Sequence, residues 1–176
     1  MIAALLGRNG RVLLLILGTA VLQGPVFDRM QVERAHPDVL LLLPVIAGLV
    51  AGPGEGAWVG FLAGLVADLP LPTAFGLSAL VFTLTGFAVG SIVQALIEGP
   101  LWVVPLTGAV GTAIGELLTV AVATVTDQSV VQRDPKAVVY VVGVVSVANA
   151  VLAVPVAFAM RWAVGSDDAT APGLSL

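Results

Sequence analysis

Two long apolar stretches in the second half of the chain limit what it can fold into. Residues 101–126 contain one charged side chain, Glu116, and residues 137–162 also contain one, Arg161. A helix needs about 20 apolar residues to cross the hydrocarbon core of a bilayer, so each stretch is long enough to span a membrane. Further apolar stretches precede them, and the sequence therefore predicts an integral membrane protein.

Composition supports this interpretation and excludes several classes of protein. Hydrophobic residues make up 59% of the 176-residue chain and charged residues 10%, whereas soluble domains have about 25% charged residues. A water-soluble monomer and a disordered chain are both excluded, because each needs far more charge. The net charge of −4 argues against a nucleic-acid partner, which favours a basic face.

Catalytic and cofactor-binding motifs are lacking. The chain has no cysteine, which excludes disulfides, thiolate zinc sites and a cysteine nucleophile. The sequence shows no phosphate-binding loop, no metal-ligand cluster and no nucleophile with a histidine and a second acid. We therefore expect a protein that is not an enzyme and holds no cofactor or metal.

Proline and glycine divide the chain into six apolar segments. They predict an all-α polytopic membrane protein, a six-transmembrane-helix bundle in a single domain over residues 1–165. The second and third segments are short for a span, so a helical hairpin that spans and a re-entrant pair both remain open. The predicted helices cover residues 12–27, 38–51, 56–69, 76–97, 101–126 and 137–162, and residues 166–176 form a flexible acidic tail.

Basic residues do not decide the orientation of six spans. Cytoplasmic loops carry an excess of lysine and arginine, and with six spans both termini share a side. One side then holds three basic residues and the other four, so the charge distribution is nearly even. The first set is Arg8, Arg11 and Arg161, and the second is Arg29, Arg34, Arg133 and Lys136.

Glycines spaced four residues apart recur in the predicted helices. Such pairs place two bare patches on one helix face, which lets another backbone approach closely. We expect them to pack helices within the bundle, with a docking face for another membrane protein as the alternative. The pairs are Gly60 with Gly64, Gly86 with Gly90, and Gly111 with Gly115.

Asp68 lies on the same face as Gly60 and Gly64, at the end of the third predicted helix. Two interpretations remain open for its carboxylate. It is either a solvated or capping group, or a buried group that ties the third helix to a neighbour.

Glu116 falls near the middle of the fifth predicted span, where an ionised carboxylate is costly. It belongs to a stripe of small and polar residues, and the sixth span carries a similar stripe. We expect the two stripes to pack together, with Glu116 neutral and hydrogen-bonded. A structural tie, a partner contact and a transport role all remain open for it. The first stripe is Gly108, Thr112, Glu116 and Thr119, and the second is Gly143, Ser146 and Asn149.

Several motifs, taken in order, carry a family resemblance over roughly residues 8–162. The segment Gly60–Asp68 reads GFLAGLVAD and follows a G-F-x-x-G-x-x-x-D pattern. Together these motifs resemble the MreD family, the small membrane subunit of the bacterial rod-shape machinery. The short acidic tail departs from relatives that often end in basic residues. The other matching positions are Pro37-Asp38, Gly76-Leu77, Glu116, Asn149, Pro155 and Arg161.

The resemblance implies a non-catalytic scaffold in the bacterial cytoplasmic membrane, with six helices and both termini in the cytoplasm. It also implies a fold like that of the substrate-binding subunits of energy-coupling-factor transporters. The implied partners are an MreC-like protein and, indirectly, RodA, a class B penicillin-binding transpeptidase and the actin homologue MreB, for lateral cell-wall synthesis. The candidate helix-packing or partner-contact residues are Gly60, Gly64, Asp68, Gly76, Gly86, Gly90, Glu116 and Asn149.

The alternative function is a substrate-binding subunit of an energy-coupling-factor vitamin transporter. Such a subunit would share the fold but would need a cavity lined by aromatic and polar side chains. By the predicted spans, Trp58, Trp102 and Trp162 lie at helix ends, as aromatic anchors at membrane interfaces do. That placement favours a filled bundle over a binding cup.

Overall fold

The computed structural model describes residues 7–23, 38–70, 76–96, 102–125 and 135–165. These residues are helical almost throughout, which confirms the all-α expectation for the described part of the chain. The helices are α1 (Arg8–Leu22), α2 (Val39–Ala51), α3 (Pro53–Asp68), α4 (Leu77–Leu96), α5 (Val103–Val125) and α6 (Pro135–Val164).

Each helix occupies one of the six apolar segments, with shifts at the ends. Helix α1 begins at Arg8 rather than at residue 12, and residues 24–27 of the predicted first helix lie outside the described residues. Helix α6 begins at Pro135, because proline is well suited to the first turn, where its missing N–H has no helical partner. The predicted tail at 166–176 also lies outside the described residues.

Helix α2 is the central helix of the bundle. All of its residues from Val39 to Gly48 are buried, and the side chains from Leu41 to Ala47 are at most 1% exposed. Helix α2 contacts each of the other five helices. A helix that is apolar on every side is stable when it is enclosed, and this explains the short leucine-rich segment.

A tight turn joins α2 to α3. Gly52 adopts a φ of +90° between the two helices, a conformation that is accessible to glycine at little cost. Pro53 then opens α3 at its first position, where its fixed φ suits a helix start. The sequence G-P at the turn thus makes α2 and α3 an antiparallel hairpin.

Three of the six helices are long and apolar enough to cross a membrane: Leu77–Ala95, Val103–Val122 and Val138–Val164. Helix α2 is apolar but has 13 residues, which corresponds to about 20 Å at 1.5 Å per residue.

Glycines bring α3 and α4 into backbone contact. A methyl group added at Gly60 would overlap the backbone carbonyl of Phe82, and one added at Gly64 would overlap the backbone of Ala79. Gly86 of α4 meets the backbone of Gly56 in the same way. We call these contacts the glycine seam, formed by Gly56, Gly60 and Gly64 against the α4 backbone from Ala79 to Gly86.

Helix α2 joins the end of this seam. A Cβ at Gly48 would lie 2.5 Å from the Gly86 carbonyl oxygen and 3.0 Å from the Gly90 nitrogen. On the other side of α2, Val45 fills the space above Gly111 and Leu41 fills the space above Gly115. Small residues on α4 and α5 therefore hold α2 between them.

Polar contacts show which helix ends lie together. Arg8 at the start of α1 forms an ion pair with Glu55 of α3, with 3.6 Å between Nη2 and Oε2. Arg11 Nη1 donates a hydrogen bond to the Trp162 carbonyl of α6 at 3.1 Å. The Gln94 side chain of α4 lies beside Gly52. We call this side the Gly52 end, and the side where α3 ends and α4 begins the Asp68 end.

The glycine seam predicts that a single methyl group will destabilise the bundle. Gly60→Ala should lower the free energy of unfolding by about 1–3 kcal/mol, the usual cost of overpacking. The measurement is the thermal unfolding midpoint of the protein purified in detergent.

Gly143→Ala is the matched control, since nothing lies within 4 Å of a Cβ at this position in α6. Its midpoint should equal or slightly exceed that of the wild type, because alanine favours a helix over glycine. Equal midpoints for the two variants would show that α3 and α4 can separate at no cost.

Candidate functional site

Polar side chains converge where α2 begins. Asp38 precedes α2, and its Oδ1 accepts hydrogen bonds from the Leu41 amide at 3.0 Å and from Gln23 Nε2 at 3.4 Å. The first bond is the usual role of an aspartate N-cap, which satisfies an amide that has no helical partner. The negative charge also suits the positive end of the α2 dipole.

Asn149 ties three helices together at this point. Its Nδ2 donates to the Asp38 backbone carbonyl at 2.9 Å and to Thr112 Oγ1 at 3.1 Å. The side chain is 0% exposed. Because a buried amide is costly unless it is bonded, these contacts fix α2, α5 and α6 relative to one another.

Glu116 lies one helical turn beyond Thr112 on α5 and is partly buried. It is close enough to Asp38 for the two carboxylates to interact electrostatically. Ser146, on α6, is buried one turn before Asn149. We call this group the central polar cluster, and its members are Gln23, Asp38, Thr112, Glu116, Ser146 and Asn149.

The central polar cluster lies deep in the bundle. Asn149 is near the middle of α6, and the helix from there to Val164 rises about 22 Å at 1.5 Å per residue. The hydrocarbon core of a bilayer is about 30 Å thick. This height is smaller than that thickness, so in a membrane-spanning α6 the polar groups around Asn149 would have to be satisfied by protein or by enclosed ligands.

The two polar stripes meet at Thr112 and Asn149, as their spacing predicts. Gly108 also packs on α6, since a Cβ added at Gly108 would lie 2.6 Å from the Cβ of Ala153. Gly143 does not take part, because it is exposed and has open space beside it. It lines a shallow apolar groove of about 410 Å³ on the outer face of α6, with Val144, Val147, Ala148 and Val151.

Asp68 forms a second polar connection, between α3 and α4. Its carboxylate is 2% exposed and accepts from the amides of Gly76 at 2.8 Å, Ser78 at 3.1 Å and Ala79 at 3.5 Å. These amides lie at the start of α4, where helical partners are lacking. Asp68 therefore caps α4, as the first interpretation from the sequence has it. It is also buried and ties α3 to a neighbouring helix, as the second interpretation has it.

The glycines singled out from the sequence have two different roles. Gly60, Gly64, Gly86 and Gly90 lie in close contact with backbone of neighbouring helices. Gly76 has a φ of +98° with nothing near its Cβ position, so it serves backbone conformation and donates its amide to Asp68. The three pairs left out Gly48 and Gly56, although the same signal was available, since Gly56 lies four residues before Gly60 and Gly48 lies four before Gly52.

Gln23 is a further residue of the cluster that sequence reasoning missed. The sequence signal that could have indicated Gln23 is its position as a polar side chain at the end of the apolar segment of α1. Among the described residues, no group of three or more histidine, cysteine, aspartate or glutamate side chains could hold a metal ion. What the central polar cluster can do chemically is cap a helix, join helices and present oxygen atoms to an enclosed group.

Comparison with known families identifies the chain. The family model described as rod shape-determining protein MreD matches residues 7–161, which include all of the glycine seam and the central polar cluster. The chain belongs to the MreD family. As a member of the MreD family with long apolar helices, it is a shape-determining membrane protein. No curated protein and no solved structure matches it.

The bonds of Asn149 predict a measurable loss of stability in this MreD family member. Asn149→Ala should lower the free energy of unfolding by about 1–3 kcal/mol, because the Asp38 carbonyl and the buried Thr112 hydroxyl each lose the hydrogen bond that Asn149 donates. The thermal midpoint in detergent measures this.

Ser91→Ala is the control, since Ser91 is only bonded to the Phe87 carbonyl of its own helix. Surface substitutions of this kind change stability by less than about 0.5 kcal/mol. A midpoint for Asn149→Ala that matches the control would mean that the three helices are held without this side chain.

Proposed function

We propose that this chain is the non-catalytic membrane scaffold subunit of the bacterial cell-elongation complex. It binds an MreC-like protein and, through that protein, helps organise RodA, a class B penicillin-binding transpeptidase and MreB for lateral cell-wall synthesis. The observation that carries the proposal is the MreD family match over residues 7–161.

The proposal includes six traversals of the bacterial cytoplasmic membrane, with both termini in the cytoplasm. The helices alternate in direction, and α1 begins at the same Gly52 end where α6 finishes. Trp58, Trp102 and Trp162 are exposed and lie towards this end, as membrane-interface anchors do. Helices α2 and α3 meet at the Gly52 end, and α3 runs from there to Asp68, whereas α2 begins deeper in the bundle beside Asn149.

A filled interior favours the scaffold over the vitamin-transporter alternative. The side chains of α2 occupy the centre of the bundle, and the three tryptophans and Tyr140 point outward. The comparisons give no support to a transporter subunit. The fold likeness to energy-coupling-factor subunits therefore stays a prediction.

Purification from native membranes tests the scaffold. The tagged chain, solubilised in mild detergent, should recover an MreC-like protein and wall-synthesis enzymes, identified by mass spectrometry against a tagged, unrelated multi-pass protein. Depletion of the chain should also alter cell shape. Recovery of a transmembrane coupling subunit with two ATPases would instead assign the chain to vitamin transport.

The natural absence of cysteine allows a clean test of the topology. In right-side-out vesicles, Leu69→Cys at the Asp68 end should react with a membrane-impermeant maleimide. Gly54→Cys at the Gly52 end should react only after permeabilisation, because that end faces the cytoplasm. Both positions are exposed in the bundle.

Phe61→Cys is the control for lipid exposure. Phe61 is exposed in the middle of α3, so a thiol there should stay unreactive in both preparations. Labelling of Gly54→Cys before permeabilisation would reverse the orientation. Labelling of both end positions from one side would show that α3 does not cross.

A further inference from the structure

Two buried oxygen atoms of α6 have no hydrogen-bond donor among the described residues. They are Asn149 Oδ1, on a side chain that is 0% exposed, and Ser146 Oγ, on a residue that is 8% exposed. Buried polar groups in proteins are nearly always bonded, and leaving one unbonded costs about 1–3 kcal/mol. The two atoms lie in one cluster, and this points to an occupant that both of them contact.

The register of α5 and α6 places these oxygens beside Glu116. Thr112 is bonded to Asn149, and the helices are antiparallel. One turn further along α5 is Glu116, and one turn back along α6 is Ser146. The Glu116 carboxylate and the Ser146 hydroxyl therefore lie on facing turns, with Asn149 at the adjacent level.

The charge of the site selects the sign of its occupant. Asp38 and Thr112 both bond Asn149, and Glu116 lies one turn beyond Thr112, so the two acidic groups lie close to one depth and contribute negative potential when ionised. Two such charges within a membrane are costly unless a positive group neutralises them. The buried side-chain atoms of the cluster that have no partner among the described residues are all oxygens: the carboxamide oxygens of Gln23 and Asn149 and the Ser146 hydroxyl.

The type of oxygen donor selects the chemistry. Carboxylate, carbonyl and hydroxyl oxygens suit hard cations, while zinc and similar metals favour nitrogen and sulfur. A calcium site usually has six to eight oxygen ligands with several carboxylates. The cluster has fewer oxygen ligands than this, and one carboxylate oxygen of Asp38 already accepts the hydrogen bond that caps α2. This set is suited to a monovalent ion.

We propose that the central polar cluster binds a monovalent metal cation of the Na⁺ type, coordinated by the Glu116 carboxylate, Ser146 Oγ and Asn149 Oδ1. The Asp38 carboxylate adds negative potential, and its backbone carbonyl holds Asn149 in place. The cation replaces a proton as the group that neutralises Glu116. The bound cation connects α5 to α6 beside the start of α2. This structural role of the cation does not depend on a protein partner.

The test uses the full chain purified in uncharged detergent. Thermal unfolding is measured while NaCl replaces N-methyl-D-glucamine chloride at constant ionic strength. A ligand that binds only the folded state raises the midpoint, here by about 5–10 °C at a Na⁺ concentration roughly 100-fold above Kd. Li⁺ and K⁺ series give the selectivity.

Two variants locate the site. Ser146→Ala removes one ligand, and Glu116→Gln removes the negative charge that attracts the cation. Both keep the bond between Thr112 and Asn149, so both should lose or strongly reduce the Na⁺-dependent shift. Thr119→Ala is the matched control one turn along α5, where the hydroxyl is already bonded to the Gly115 carbonyl. It should keep the full shift.

Three results would overturn the proposal. Equal midpoints in Na⁺ and N-methyl-D-glucamine would mean that water fills the cluster. A full shift in Glu116→Gln would exclude its carboxylate as a ligand, and loss of the shift in Thr119→Ala would mean that the effect is not local.

Radioactive ²²Na⁺ binding to the wild-type protein provides a second measurement that needs no variant. Saturable binding of one ion per chain, displaced by unlabelled Na⁺, supports the site. The absence of saturable binding contradicts it. Because no partner is present in either experiment, failure here leaves the scaffold proposal untouched.

Discussion

The enclosure of α2 is the constraint on which the rest of the bundle depends. A helix apolar on every side has no preferred face, so the other five helices must surround it. The start of a helix leaves amides without helical partners, and enclosure keeps them from water. Asp38 satisfies the Leu41 amide through its side chain, and Asn149 donates a second hydrogen bond to the Asp38 carbonyl, which also accepts from the Leu42 amide. A single buried amide thereby links the start of α2 to both long helices of the second half.

Close backbone contact compensates for the weak driving force that lipid provides. Lipid tails are as apolar as leucine, so helices associate through packing and hydrogen bonds. The glycine seam brings the backbones of α3 and α4 into direct contact, and Gly48 extends this contact to α2. The short hairpin of α2 and α3 is held in this way by contacts along α4, while Asp68 joins the ends of α3 and α4.

A tightly packed interior is consistent with the scaffold role that we propose for this chain. The helices expose many large apolar side chains, while Asp68, Thr112 and Asn149 are buried between them. Ser146 and Asn149 of α6 are among the residues that keep a buried oxygen without a partner in the described part of the chain. A bound cation would contact these two oxygens and would add a connection between α5 and α6, which Asn149 already joins.

The sequence by itself determined the class of protein, the number of apolar segments and the family. These follow from local features: the run of apolar residues, the proline and glycine breaks, and motifs such as Gly60–Asp68. Helical spacing alone also placed Thr112 and Asn149 on stripes that meet, because a helix repeats every 3.6 residues whatever surrounds it.

Only the tertiary structure decided which segment lies at the centre and what each polar group bonds. The second apolar segment is shorter than a typical membrane span. The structure shows that it forms a helix enclosed by the five other helices. Gly48 and Gly56 gained their roles from the backbone of α4, which is distant in sequence. Asp38 and Gln23, 15 positions apart in sequence, come together where α1 ends and α2 begins. Such contacts depend on the relative positions of helices, and no local pattern encodes those positions.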